Sequence, residues 1–185
     1  MLDAQWPLDG TDLRYDGIVI LGVTRVSAVS VSVPQGTEAK VSASVKKRFG
    51  EDLPAVGASL SDDDQSTKLL RLGQDEVLLL VDTFTADPVT SAREVFGQTA
   101  YLVDLSDSFA MLEISGGRCL EALERICPLD LAPDRFDQGA VARTLMEHLD
   151  VIILRSGEDK YLLISARSTA KNFLHAVQIS AENVS

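Results

Sequence analysis

The sequence predicts an α+β chain of two units built to a similar plan, each a sheet with helices packed on one face. Three observations predict it. Apolar runs with a two-residue period alternate along the chain with runs of helical period. The stretch LRLGQDEVLLL (70–80) lies over LRSGEDKYLLI (154–164) without a gap, at an offset of 84 residues. Leu70, Arg71, Gly73, Asp75, Leu78 and Leu79 there match Leu154, Arg155, Gly157, Asp159, Leu162 and Leu163. Each copy also follows strand, turn and helix, and precedes a helix with a similar apolar stripe. A repeat this long reads as a duplicated domain and not as a solenoid. Hairpins reuse Gly and Asp at turns for their backbone freedom, so the matched stretch alone leaves chance resemblance open.

Taken in order, residues 1–15 read as a polar arm anchored by Trp6-Pro7. The first unit spans 16–99. From Ile18 to Val33 the chain is rich in valine and isoleucine; Val29, Val31 and Val33 alternate with Ser30 and Ser32, a strand with one wet face. Pro34-Gln35-Gly36 is a turn, after which Thr37 caps a helix to Phe49 that buries Val41 and Val45 and closes at Gly50. Residues 50–65 read as a loop. Its run Ser61-Asp62-Asp63-Asp64 lacks the alternating ligand spacing of a calcium loop and is expected to be solvated. Residues 68–82 form a hairpin about Gly73-Gln74-Asp75. Asp87 or Thr90 begins a helix that ends at Gly97, and Thr99 to Leu105 is a strand. This order is βαββαβ, the split ferredoxin-like motif.

The second unit, 100–185, repeats the plan. Phe109 to Ile114 is a strand, Ser115-Gly116-Gly117 a turn, Arg118 to Cys127 a helix, and 128–139 a loop with two prolines. Two or three strands follow between Val141 and Ser165, then a helix over Ser168 to Ile179. Val141 to Leu145 fits helix or strand, because neither period is clean.

Composition narrows the function. The 185 residues carry a net charge of −11 and no basic cluster beyond Lys46-Lys47-Arg48. Nucleic acid and anionic membranes are therefore poor partners. The acidic start MLDAQWPLDG is no signal peptide, and runs such as Val77 to Val81 are far shorter than a bilayer span. A soluble cytoplasmic protein is expected. Cys119 and Cys127 lie about 12 Å apart if on one helix, too far for a disulfide.

Motifs for chemistry are sparse. No G-x-G-x-x-G, P-loop, C-x-x-C or H-E-x-x-H occurs. Ser115-Gly116-Gly117-Arg118 enters a helix and could offer amides to an anion, but such a turn needs glycine for backbone reasons alone. His148 and His175 read as rim or surface residues. The stretch Cys127-Pro128-Leu129-Asp130-Leu131 invites a thiol reading. Yet Cys119, Leu120, Leu123, Ile126 and Cys127 share one helical face, so both sulfurs point into the core. Cys127 also sits at a helix C-terminus, where the dipole opposes a thiolate, and Pro128 stops the helix. No catalytic, cofactor-binding or metal-ligating residue is assigned.

One stretch carries a resemblance. YLVDLSDSFAMLEISGGRCLEALERICPLDL, FDQGAVARTL and VIILRSGEDKYLLISARS resemble the γ-subunit family of heterotetrameric sarcosine oxidase. The shared pattern is Asp104, Ser106, Ser115, Gly116, Cys127 to Leu131, Phe136, Gly139, Thr144 and Leu145. LRLGQDEVLLL is similar to the family's L-G-P-D-E-W-L-L hairpin, with Gln74 for proline and Val77 for tryptophan. The match is best over 68–180 and poor over 1–60.

The resemblance implies the fold of folate-binding aminomethyltransferases such as the glycine-cleavage T-protein, and a strand at 140–148. It implies a non-catalytic subunit of an oxidoreductase complex that serves assembly and stability. The complex would demethylate sarcosine oxidatively and pass the one-carbon unit to tetrahydrofolate. FAD, FMN, NAD, folate and zinc are expected on partner chains: α and β flavoprotein subunits and a small zinc-binding δ subunit. A related N-methylglutamate dehydrogenase complex, or a stand-alone folate-binding module, is the alternative.

Overall fold

A computed structural model describes residues 5–185. Its strands are β1 (Asp12–Tyr15), β2 (Ile18–Val23), β3 (Ser27–Ser32), β4 (Ser59–Ser61), β5 (Thr67–Arg71), β6 (Glu76–Val81), β7 (Tyr101–Asp104), β8 (Phe109–Ser115), β9 (Val141–Met146), β10 (Leu149–Gly157) and β11 (Lys160–Ala166). Its helices are α1 (Glu38–Phe49), α2 (Pro88–Phe96), α3 (Cys119–Glu124) and α4 (Ala170–Glu182). The chain divides into a contiguous unit, Arg25–Asp107, and a split unit that joins the segment up to Thr24 to Ser108–Ser185.

In the contiguous unit the sheet order is β4-β5-β6-β3-β7. The path β3-α1-β5-β6-α2-β7 is the split ferredoxin-like motif. β4 is an addition that pairs antiparallel with β5 inside the expected loop. Val29 and Val31 of β3, Leu69 of β5 and Val77 and Leu79 of β6 face Val41 and Val45 of α1 and Ala92 and Phe96 of α2. Helix α1 closes as predicted: Gly50 turns left-handed at φ +78° and donates to the Lys46 carbonyl. Thr37 precedes the helix, but its hydroxyl donates to the Pro34 carbonyl (2.7 Å) and caps no amide. Asp87 caps α2 by accepting from the Thr90 amide (3.0 Å), with Pro88 in the first turn.

The acidic loop departs from expectation at Asp62, which is buried. It accepts from the Thr67 amide (2.9 Å) and the Ser66 hydroxyl (3.3 Å) and pairs with Arg48 (3.2 Å). Burial pushes its carboxyl up. Hydrogen bonds from Thr67 and Ser66 outweigh this and hold it below the usual carboxylate range.

The split unit has the sheet order β1-β2-β8-β11-β10-β9. The path β8-α3-β10-β11-α4 repeats the first five members of the motif, with β9 in the place of β4. The sixth place, beside β8, is taken by β2. The domain boundaries read from sequence are thus corrected: Ile18–Val23 belongs with the second half of the chain, and the contiguous unit runs on to Asp107. β2 and β3 look continuous in sequence because only Thr24-Arg25-Val26 separates them; Arg25 adopts φ +61° in that link. The expected arm is corrected too. Asp12–Tyr15 pairs antiparallel with β2, and Leu13 and Tyr15 pack on the core. The arm's first four residues lie outside the described residues.

Duplication extends to single hydrogen bonds. In the contiguous unit Gly57 donates to the Arg71 carbonyl (2.9 Å) and the Arg71 amide to the Ala58 carbonyl (3.0 Å). In the split unit Gly139 donates to the Arg155 carbonyl (2.8 Å) and the Arg155 amide to the Ala140 carbonyl (3.0 Å). The two glycines have φ of 85° and 86°, a left-handed turn that favours glycine. The segment 141–146, open on pattern alone, is strand.

Candidate functional site

The Cys127–Leu131 corner forms where the α3 turn ends. The Ile126 and Cys127 amides both donate to the Leu123 carbonyl (3.1 and 2.9 Å), and Pro128 takes the chain out of helical geometry. Regular α-helix stops at Glu124, short of the expected Cys127. Cys119 and Cys127 are buried free thiols in one core with Leu123 and Leu131. Leu131 is fully buried and Leu129 half-buried against the same cluster, so the loop is pinned to the core. Burial pushes the Cys119 thiol up to about 11, and Asp159 adds to the shift. That is the reverse of what a nucleophilic thiolate requires.

The Ser115–Arg118 turn is committed to backbone work. The Gly116 amide donates to the Asp159 carbonyl (2.9 Å) and the Arg118 amide to the Gly17 carbonyl (3.1 Å). A Cβ at Gly116 would lie 2.2 Å from the Gly17 carbonyl oxygen, so close approach of two chain segments demands glycine there.

The matched hairpins supply the strongest polar anchors. Arg155 is buried and donates to the carbonyls of Phe136 (2.9 Å), Glu158 (2.8 Å) and Gly157 (3.3 Å). It thereby ties the β10–β11 turn to the preceding loop. Arg71 does the same in the contiguous unit, reaching Pro54 (2.9 Å), Gln74 (3.1 Å) and Gly73 (3.4 Å). The matched arginines of the repeat are thus structural clamps.

A groove of about 450 Å³ opens in the split unit where α3, α4 and the β9–β10 turn meet. Arg125, Glu147, Asn172 and His175 bring polar groups to it, and Ile126 and Ile179 supply apolar wall. Glu147 and His148 form the two-residue turn, both left-handed at φ 46° and 70° without a glycine. Both histidines are exposed, as expected. The Ser180 hydroxyl in this groove donates to the Ala122 carbonyl (2.6 Å) and so is held by structure. A second concavity of about 310 Å³ lies on the same unit's sheet, between Phe109, Arg143, Asp150 and Ile152. These hollows can take hydrogen-bonding or charged groups of a ligand or a partner. Among the described residues no three His, Cys, Asp or Glu side chains stand close enough to hold a metal ion. The groove was not legible in sequence, because its walls come from three distant segments.

Fold and site together define a duplicated, ferredoxin-like α+β chain whose polar side chains mostly serve its own architecture. Residues 34–182, about four fifths of the chain, match the model of the sarcosine oxidase, gamma subunit family, and the chain belongs to that family. It is 27% identical over 126 residues to the sarcosine oxidase subunit gamma of Corynebacterium sp. (strain U-96), covering 68% of this chain and 62% of that relative. The corresponding subunit of Arthrobacter sp. is 25% identical over 122 residues, with 66% and 60% covered. The chain thus spans about three fifths of the length of these curated relatives. A chain of the heterotetrameric sarcosine oxidase from Corynebacterium sp. U-96, solved with pyrrole 2-carboxylate, has the same fold: TM-score 0.79 at 22% identity, covering 95% of this chain and 90% of that one. The glycine cleavage aminomethyltransferase T of Bartonella henselae is similar at TM-score 0.62 and 16% identity, covering 87% of this chain and 45% of that one. The expected aminomethyltransferase-like fold is therefore the observed one.

Proposed function

We propose that this chain is the γ subunit of a heterotetrameric sarcosine oxidase and serves assembly and stability without an active site of its own. Family membership over residues 34–182 is the observation that carries this reading. The inward-facing cysteines and the structural arginines support it, since the residue types most suited to chemistry are spent on the core. In this reading FAD, FMN, NAD, folate and zinc reside on α, β and δ partners in the cytoplasm. The complex demethylates sarcosine oxidatively and hands the one-carbon unit to tetrahydrofolate.

The test is recovery of the tagged chain from its host at native expression. Large flavin-containing partners and sarcosine-dependent reduction should come with it. Elution of the chain alone would sink the reading. Recovery of an oxidase that prefers another N-methyl amino acid would keep the subunit role and change the substrate. The likeness to an aminomethyltransferase favours one second reading, a folate-binding module. Calorimetry with tetrahydrofolate decides it: saturable micromolar binding by the isolated chain would favour the module over the silent subunit.

A further inference from the structure

The two units differ at one sheet edge. In the split unit, β2 carries β1 along its outer side, so Val19 and Leu21 lie half-buried opposite Arg14 and Asp12. In the contiguous unit, β7 holds the place of β2. Tyr101 and Val103 pair with Ser32 and Ser30 of β3 as Val19 and Leu21 pair with Ser115 and Glu113 of β8. Among the described residues no strand pairs with the outer side of β7. Tyr101 is 71% exposed and Val103 57% exposed, and both stand on one face.

The backbone is set for a sixth strand. The Leu105 amide donates to the Ala28 carbonyl (2.8 Å). Alternation along an antiparallel ladder then turns the amides and carbonyls of Leu102 and Asp104 outward. An open edge with apolar side chains is a liability unless something covers it. The same fold shows the covering device in its other copy, a short antiparallel strand. Charge narrows the occupant: residues 98–108 hold Asp104 and Asp107 and no Lys or Arg, in a chain of net charge −11. A second copy of this chain would bring the same carboxylates to the edge, so self-pairing is disfavoured.

We infer that the outer edge of β7 is the docking strand for an extended segment of a partner subunit. That segment adds as a sixth strand, sets apolar side chains over Tyr101 and Val103, and carries Lys or Arg toward Asp104. This rests on the subunit reading above and names the surface that reading requires. Strand addition gives affinity through main-chain hydrogen bonds and specificity through alternate side chains.

The test recovers the tagged full chain from its host at native expression, as wild type and as the Tyr101→Asp/Val103→Asp double variant. Both side chains are exposed, so the variant should keep the wild-type melting profile. The expected result is a loss of partner yield of tenfold or more in the variant. Hydrogen exchange on the wild type needs no variant. The Leu102 and Asp104 amides should exchange at least tenfold more slowly in the complex than in the free chain. Partner yield unchanged in the variant, with those amides still unprotected, overturns the docking strand and leaves the subunit reading intact. A wild-type chain that recovers no partner overturns both. A concentration-dependent dimer of the free chain that the double variant abolishes assigns the edge to a second copy and overturns the proposal.

Discussion

Arg71 and Arg155 occupy matched places in two copies of one fold, yet their charges are balanced differently. Arg71 pairs with Glu38 of α1 in addition to its three carbonyls. Among the described residues no carboxylate pairs with Arg155 in this way. The first residue of α3, where α1 has Glu38, is the buried thiol Cys119, and the nearby Glu121 pairs with Arg118 (3.0 Å). The guanidinium of Arg155 lies 6.0 Å from the ring centroid of Tyr161, where the contiguous unit has Val77. A buried cation thus draws on an aromatic face in one unit and a carboxylate in the other. The lesson is that the conserved element of the repeat is the clamp of carbonyls at the hairpin, while the counter-charge is free to vary.

That comparison can be broken at its centre. Arg155→Met should cost about 4 kcal/mol in urea unfolding, because it strands three carbonyls that a cation now satisfies. Arg71→Met should cost about 2 kcal/mol, since the Pro54 carbonyl it holds is only part-buried where that of Phe136 is buried, and the exposed Glu38 can rehydrate. Equal losses would show that the counter-charge is irrelevant.

The next contrast is in the loops that follow the first helix of each unit. Leu131 is fully buried, whereas Leu53 only flanks its core. Leu131→Ala should cost about 3 kcal/mol and Leu53→Ala about 1 kcal/mol. Similar midpoints for the two variants would remove the Cys127–Leu131 corner from its packing role.

Gly57→Ala and Gly139→Ala should sharpen the likeness. Each places a Cβ at φ near +85°, and each should cost about 1 to 2 kcal/mol. Thermal melts that differ by more than this would deny the equivalence of the two turns.

The smallest effect separates the units by pH. The Asp62 carboxyl is held below its unfolded value, so its contribution is fully present above about pH 4 and lost as pH falls through the lower folded value. Asp62→Asn should therefore flatten the acid limb of the stability profile and leave the limb above pH 5 parallel to wild type. An unchanged acid limb would show that other carboxylates govern it.

Much of this was legible in the sequence. The hairpin repeat, the αL closure at Gly50, the Asp87 cap and the inward cysteines all follow from local spacing. Four features were not. The Gly57-Ala58 and Gly139-Ala140 match lies two residues out of step with the 84-residue offset, because the loops before the hairpins differ in length. The burial of Asp62 depends on Thr67 and Arg48 arriving from other elements. Above all, the departure of β2 from its sequence neighbour cannot be read from periodicity, since neighbouring strands usually pair or lie close. The groove between α3, α4 and the β9–β10 turn was hidden for the same reason: no local pattern announces a meeting of distant segments.

The placement of β2 also has a consequence in time. On the ribosome, Arg25–Asp107 can close its sheet with strands that are all contiguous. β2 is made first of the two units' main strands, yet Leu21 must wait for Glu113 and Ile20 for Ile114 before it has a lateral partner on the β8 side. Until then it waits as an apolar hairpin with β1, exposed to mispairing. The chain therefore folds its middle before it can join its two ends. Mutations that delay β8 should raise aggregation during synthesis more than they lower the stability of the finished protein.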